Sequence, residues 1–156
     1  MQPPYPYSHL SYVIAKVSHQ LGITIDRALS GQGITLTQFS ALAHIARSPG
    51  LSSAELARSL LTTPQATTTL VRRLIDAGLA QRPEVAPGLA AAIRLTPRGL
   101  RKLHRAGGVA TRAENEALSA LPGAETQRLA TILGRLSVAL ERQQSTRSAP
   151  IGRSRP

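Results

Sequence analysis

Cysteine is absent from all 156 residues, which excludes disulfides, thiolate nucleophiles and thiolate metal ligands. Tryptophan is absent too, and three tyrosines and one phenylalanine are the whole aromatic complement. A chain long enough to bury a real core must therefore pack it from aliphatic side chains. No apolar run approaches the ~20 residues that span a bilayer. The start, Met1-Gln2-Pro3-Pro4-Tyr5, carries neither a basic leader nor an apolar stretch, which predicts a cytoplasmic protein with no membrane partner. Acids are scarce: eight stand against 19 cations, for a formal net charge of +11. Residues 55–105 hold nine of the cations and only three of the acids, so the basic surface is concentrated mid-chain, where it attracts a phosphate polyanion. The few acids are scattered, and there is no glycine-rich phosphate loop and no G-x-S-x-G turn. An enzyme is not expected, nor is a cofactor.

What is present is concentrated between Ser52 and Gly99. Ser52-Ser53-Ala54-Glu55 forms a capping box, in which the serine accepts from the Glu55 amide and the glutamate reaches back to the Ser52 amide. A helix starts there, with Leu56 and Leu60 one turn apart. Thr62-Thr63-Pro64-Gln65 opens a second helix, one of the two threonines capping it and the proline sitting where no donor is needed. On this helix Ala66, Leu70, Leu74 and Ala77 read as the core stripe, and Gln65, Thr68, Thr69 and Arg72 as the opposite face. Gly78 ends it. Leu79 to Arg82 and Ala91 to Leu95 read as two strands around the turn dipeptide Pro87-Gly88. Two helices joined by so short a turn, followed by a hairpin, make a winged helix-turn-helix pattern, whose second helix enters the DNA major groove.

Around this lobe the pattern is helical. Leu10, Val13, Ile14, Val17, Leu21 and Ile25 predict one amphipathic helix from about Ser8 to Leu29, closed by Gly31-Gln32-Gly33. A second helix is expected after Thr37, with Phe39, Leu42, Ala43 and Ala46 on one face, ending before Ser48-Pro49-Gly50. Pro97 suits a first helical position. The helix it opens carries Leu100, Leu103, Ala110, Ala113, Ala117 and Leu121, with a kink or flexible point expected at Gly107-Gly108. After Pro122-Gly123 a last helix has Leu129, Ile132, Leu133, Leu136, Ala139 and Leu140, a stripe wide enough for its own chain and a partner. The fold class is thus mainly α. A winged helix-turn-helix lobe with a two-stranded hairpin wing spans 31–96, and a helical dimerisation lobe is built from the N- and C-terminal helices, 8–30 and 97–143. Together they make one domain over 1–143, and the polar, proline-broken stretch 144–156 reads as a disordered basic tail whose Arg147, Arg153 and Arg155 are best explained as a solvated terminus.

The segments Leu36-Thr37-Gln38-Phe39, Leu51 to Leu60, Thr63-Pro64-Gln65-Ala66, Leu70 to Leu79 and Leu95-Thr96-Pro97-Arg98-Gly99, in that order and spacing, resemble the multiple-antibiotic-resistance regulator (MarR) family of bacterial transcription factors. The likeness covers most of the chain. It implies a homodimer paired through its first and last helices, two winged lobes on a palindromic operator of double-stranded DNA, and release by a small-molecule effector or by oxidation; with no cysteine, any switch here is not a thiol. Wings of the family carry an aspartate and, two residues on, an arginine that enters the minor groove. Here that region reads Pro87-Gly88-Leu89, leaving Arg82 and Arg94 at the wing base as the hairpin's cations able to reach phosphate.

Within this frame the DNA-reading residues are expected to be Gln65, Thr68 and Thr69, with Arg72, Arg73, Arg82 and Arg94 on the backbone or, for Arg72, on guanine. Gln65 offers a donor and an acceptor together to adenine, and threonines offer hydroxyls and methyls. The threonines at 67, 68 and 69 might instead simply pack, and Arg73 has an alternative partner in Asp76, one turn on. The four histidines lack metal-ligand spacing, so no metal site is expected. The resemblance implies an effector site between the dimer helices and the winged lobe, to which Tyr12, His19, Phe39, His44 and His104 are the candidate contributors. An RNA-binding domain is the competing reading of the charge. It lacks support, because Tyr5, Tyr7, Tyr12 and Phe39 all lie outside the basic lobe, where no aromatic is placed to stack an unpaired base.

Overall fold

The computed structural model describes residues 9–82 and 92–147, with side chains up to Gln143. Its elements in chain order are α1 (Leu10–Ser30), α2 (Leu36–Arg47), α3 (Ser53–Ser59), α4 (Pro64–Asp76), β1 (Ala80–Gln81), β2 (Arg94–Leu95), α5 (Pro97–Ala117) and α6 (Gly123–Arg147). They fall into two compact units, Met1–Ala117 and Leu118–Pro156.

In the first unit α5 packs on α1 and α2, and α3 packs on α4. Leu29, Leu42, Ile45, Leu56, Leu74 and Ile93 are fully buried where these elements meet. Each such aliphatic side chain contributes about 2 kcal/mol by leaving water, which is how a core almost without aromatics holds together. Helix starts follow their caps. Thr35 accepts from the Gln38 amide at 3.2 Å while Gln38 Oε1 accepts from the Thr35 amide at 3.0 Å, and Asp26 Oδ1 accepts from the Leu36 amide at 2.6 Å. This second capping box moves the start of α2 ahead of Thr37, where the sequence placed it. The buried face of α2 is Ala41, Leu42 and Ile45, while Phe39, Ala43 and Ala46 are only half-buried.

The helix-turn-helix turn closes with the Leu61 amide on the Arg58 carbonyl at 3.2 Å and the Thr62 amide on the Ala57 carbonyl at 3.1 Å, the paired bonds of a Schellman cap. The left-handed position in it, φ 51°, is occupied by Leu61 instead of glycine, and that leucine is 95% exposed. The end of α4 repeats the device with a residue suited to it: Gly78 has φ 66°, its amide meets the Ile75 carbonyl, and the Leu79 amide meets the Leu74 carbonyl, both at 2.8 Å.

β1 and β2 pair antiparallel, Ala80 opposite Leu95 and Gln81 opposite Arg94. Both strands are shorter than the runs expected from sequence, and the Pro87-Gly88 tip lies outside the described residues. The segment before α3 is clipped on beside them: the Gly50 amide donates to Ile93 and the Ile93 amide to Leu51. The run from Leu95 to Gly99 is a joint. The Thr96 hydroxyl accepts from the Gly99 amide at 3.0 Å, capping α5, and donates to the Gly78 carbonyl at 2.7 Å. The Thr96 amide donates to the Leu79 carbonyl at 3.1 Å. Gly99 has to be glycine because a Cβ there would stand 1.9 Å from the Leu79 oxygen.

α5 continues unbroken through Gly107-Gly108, where a kink was expected. Its Lys102 ammonium donates to the Gln32 carbonyl and so ties α5 to the α1–α2 loop. In the second unit α6 continues past Gln143 to Arg147, into the stretch expected to be disordered; residues 148–156 lie outside the described residues. Taken by itself, α6 leaves Leu129, Ile132, Leu133, Leu136 and Leu140 exposed.

Candidate nucleic-acid interface

α4 begins where its sequence dictates. Thr63 is the capping threonine, accepting from the Ala66 amide at 3.2 Å, and Pro64 takes the first helical position. The face turned to the core is Thr67, Val71 and Leu74, with Leu70 half-buried. This corrects the expected stripe, since Ala66 and Ala77 are exposed. Alanine and threonine are similar in size, and here the threonine at 67, 0% exposed, fills the space under α3 and α4. Its hydroxyl is buried without a hydrogen-bond partner.

The opposite face keeps Gln65, Thr68 and Arg72 exposed and Thr69 half-buried, all within about 100° of arc at 100° per residue. The Thr68 hydroxyl donates back to the Pro64 carbonyl at 2.9 Å. Thr68 therefore presents outward a methyl and an acceptor, not a donor. Arg73 is exposed, makes no ion pair with Asp76 among the described residues, and turns instead to the flank of α4 that faces α1. Arg82 and Arg94 are exposed at the wing base. Arg82 is not loose there: its guanidinium donates to the Ser53 hydroxyl at 2.5 Å, tying β1 to the first turn of α3. Ser53 was passed over in the sequence because its neighbour Ser52 already explained the cap. That cap is complete, with the Ser52 amide on Glu55 Oε2 at 2.8 Å, and the bonds from Ser52 hold the Glu55 carboxyl below the usual range.

Between α1 and α4 runs an open groove of about 1050 Å³, floored by the start of α2. His19, Ile23, Asp26 and Arg27 line it from α1, Thr35 to Gln38 from α2, and Gln65, Thr69 and Arg73 from α4. The five candidate effector residues do not converge on it. His19 lines this groove; Phe39 and His44 share a separate hollow of about 240 Å³ on α2 with Arg47. Tyr12 is half-buried on α1 and His104 exposed on α5, and neither joins His19. Desolvation of His44, helped by Arg47, holds its imidazole below the ordinary histidine value. Asp26 and Arg27 were missed because polar residues carry no periodic signal, although Arg27 lies two turns from His19 on the same helix. Among the described residues no three His, Cys, Asp or Glu side chains cluster as a metal site, and no helix is long and apolar enough to cross a membrane.

Known proteins share this arrangement. A model of the MarR family matches residues 32–88. The HTH-type transcriptional repressor Rv2887 of Mycobacterium tuberculosis is 38% identical over 128 residues, 81% of this chain and 92% of that protein. The crystal structure of the Mycobacterium tuberculosis MarR family protein Rv2887 in complex with DNA superposes with a TM-score of 0.72 at 36% identity, covering 83% of this chain and 98% of that one. The same protein in complex with salicylic acid gives a TM-score of 0.73 at 36% identity, over 87% and 99%.

Proposed function

Since the chain belongs to the MarR family, we propose that it is a transcriptional repressor that binds a palindromic operator in double-stranded DNA as a homodimer. The observation that carries this reading is α4 itself: one face locked in the core by Val71 and Leu74, the other holding Gln65, Thr68 and Arg72 in solvent. An exposed polar helix on a rigid support is what a major groove accepts. Gln65 reads adenine through its paired donor and acceptor, and Thr68 contributes its methyl. Thr69 reads from the edge, and Arg72 takes phosphate or guanine. Arg73, Arg82 and Arg94 hold the backbone, Arg82 from a position set by Ser53. The relative that forms a complex with DNA supports the assignment.

Residues 31–96 act as the DNA-binding lobe, and 8–30 with 97–143 as the dimerisation lobe. Leu10, Val13 and Val17 on α1, and separately the apolar stripe of α6, are exposed in the single chain and call for a second copy to cover them. Regulation, not catalysis, is the activity assigned, and such a regulator works in the cytoplasm. The groove between α1 and α4 is the effector site of this reading. Arg27, Arg73 and His19 make its polar lining basic, while one oxygen of Asp26 is occupied by the Leu36 amide. A small aromatic carboxylic acid suits that lining, as salicylic acid suits the relative that binds it.

Selection of bound fragments from random duplex DNA at two salt concentrations tests the function. A palindrome recovered at both concentrations is the expected result. Fragments with no common sequence, lost together as salt rises, would leave only a basic protein.

A further inference from the structure

α5 carries cations in an arrangement that its own stability does not explain. From Pro97 to Ala113 it holds Arg98, Arg101, Lys102, Arg105 and Arg112 and no acid. Lys102 is spent on the Gln32 carbonyl. The four arginines are exposed, and at 100° per residue they fall in a sector of about 60°, a single stripe about 21 Å long. Like charges three and four residues apart repel along a helix, and cations in a first turn oppose the helix dipole. Arg98 and Arg101 do both. α6 is arranged in the opposite way, with Glu125 in its first turn three residues before Arg128. Among the described residues none of the four α5 arginines has an acidic partner. The stripe also continues a surface already described: it starts one turn after Arg94 of the wing base, and the Arg98 guanidinium lies beside Gly78 at the end of α4.

We propose that Arg98, Arg101, Arg105 and Arg112 form a second, sequence-blind phosphate track that holds duplex DNA flanking the operator as it leaves the wing. The inference rests on the operator-binding reading above. A stripe of this length matches about six phosphates along one strand at 3.4 Å each. Duplex bent toward the protein meets Arg98 first and the other three in succession, so that the contacts offset the cost of bending. The repulsion that weakens α5 in the free protein is relieved when the phosphates arrive.

The test uses the full chain and two duplexes: the selected operator core alone, and the same core extended by about one helical turn on each side. Affinity is measured by fluorescence anisotropy across a salt series. For the wild type, the slope of log affinity against log salt is expected to steepen on the extended duplex by about 0.9 for each added phosphate contact. In the combined variant Arg101→Gln, Arg105→Gln, Arg112→Gln, whose substitutions are all on the solvent face, the extended duplex should return the slope of the core. Affinity for the core itself should be unchanged. Equal wild-type slopes on the two duplexes, or a variant that keeps the steeper one, would overturn the track. A wild type that prefers the core to a scrambled duplex but shows equal slopes sinks the track alone; one without that preference sinks the operator reading as well.

Discussion

Replacing Gly99 with alanine sets two effects of opposite sign against each other. Gly99 is the third residue of a helix, and by intrinsic propensity alone alanine there should stabilise by about 1 kcal/mol. The structure reverses the sign. The new Cβ would lie 1.9 Å from the Leu79 carbonyl oxygen and 2.9 Å from its carbon. More than an ångström must be gained, and backbone stands on both sides of the gap. Moving the first turn of α5 outward stretches two hydrogen bonds that cross the same gap, from the Thr96 amide to Leu79 and from the Thr96 hydroxyl to Gly78. Each is worth about 1 kcal/mol, and overpacking adds about 1–3 kcal/mol. Gly99→Ala is therefore expected to destabilise by about 2–4 kcal/mol net. Urea unfolding followed by circular dichroism, at one fixed protomer concentration, should show a lower midpoint with an unchanged slope. A variant as stable as the parent, or more so, would mean that α5 does not approach Leu79 this closely, and the account of the Leu95 to Gly99 joint would be wrong.

Arg72→Ala should weaken binding to all duplexes alike and flatten the logarithmic salt slope by about 0.9. Gln65→Ala should instead relax base preference by about 1–3 kcal/mol at one position per half-site, and unchanged footprints in both variants would refute the α4 assignment. Thr67→Val removes a buried hydroxyl that has no partner and should stabilise by about 1 kcal/mol in the same denaturation assay; a loss would show that the hydroxyl is bonded. Leu61→Gly relieves a left-handed leucine at about 1–2 kcal/mol and adds about 0.5–1 kcal/mol of chain entropy, so a small net gain in Tm is expected and a clear loss would refute the strain. His44 has its folded value below 6.5, so just below that pH the unfolded chain binds the extra proton and stability falls as pH drops. His44→Gln should remove that part of the pH dependence, and an identical pH profile in the variant would place the dependence elsewhere.

Element starts were legible because they are local. Ser52 with Glu55, Thr63 with Pro64, and Thr96 with Pro97 each announce a helix through groups within four residues of one another. The buried face of α4 was not legible. Ala66 and Ala77 count as apolar in any periodicity, yet a methyl group is indifferent to burial, and only tertiary packing brings Thr67 inward. The exposed side survived that error because Gln65, Thr68 and Arg72 sit well away from either version of the core. The effector candidates failed for a related reason: their aromatic and imidazole groups lie on three helices, and periodicity along one helix carries no information about which flank meets another. His19 reached the groove; the partners that flank it there, Asp26 and Arg27, are ordinary polar positions when read in one dimension.

Gln65 and Thr69 stand on a shared rim, with the groove on one side and open solvent, where a duplex would lie, on the other. A molecule seated in the groove and a base edge outside it would compete for the rotamers of the same two side chains, across no more than the thickness of one helix. Such coupling needs no relay through the rest of the fold. Thermodynamic reciprocity then applies at that rim: whatever factor the occupant removes from operator affinity, the operator must remove from the occupant's.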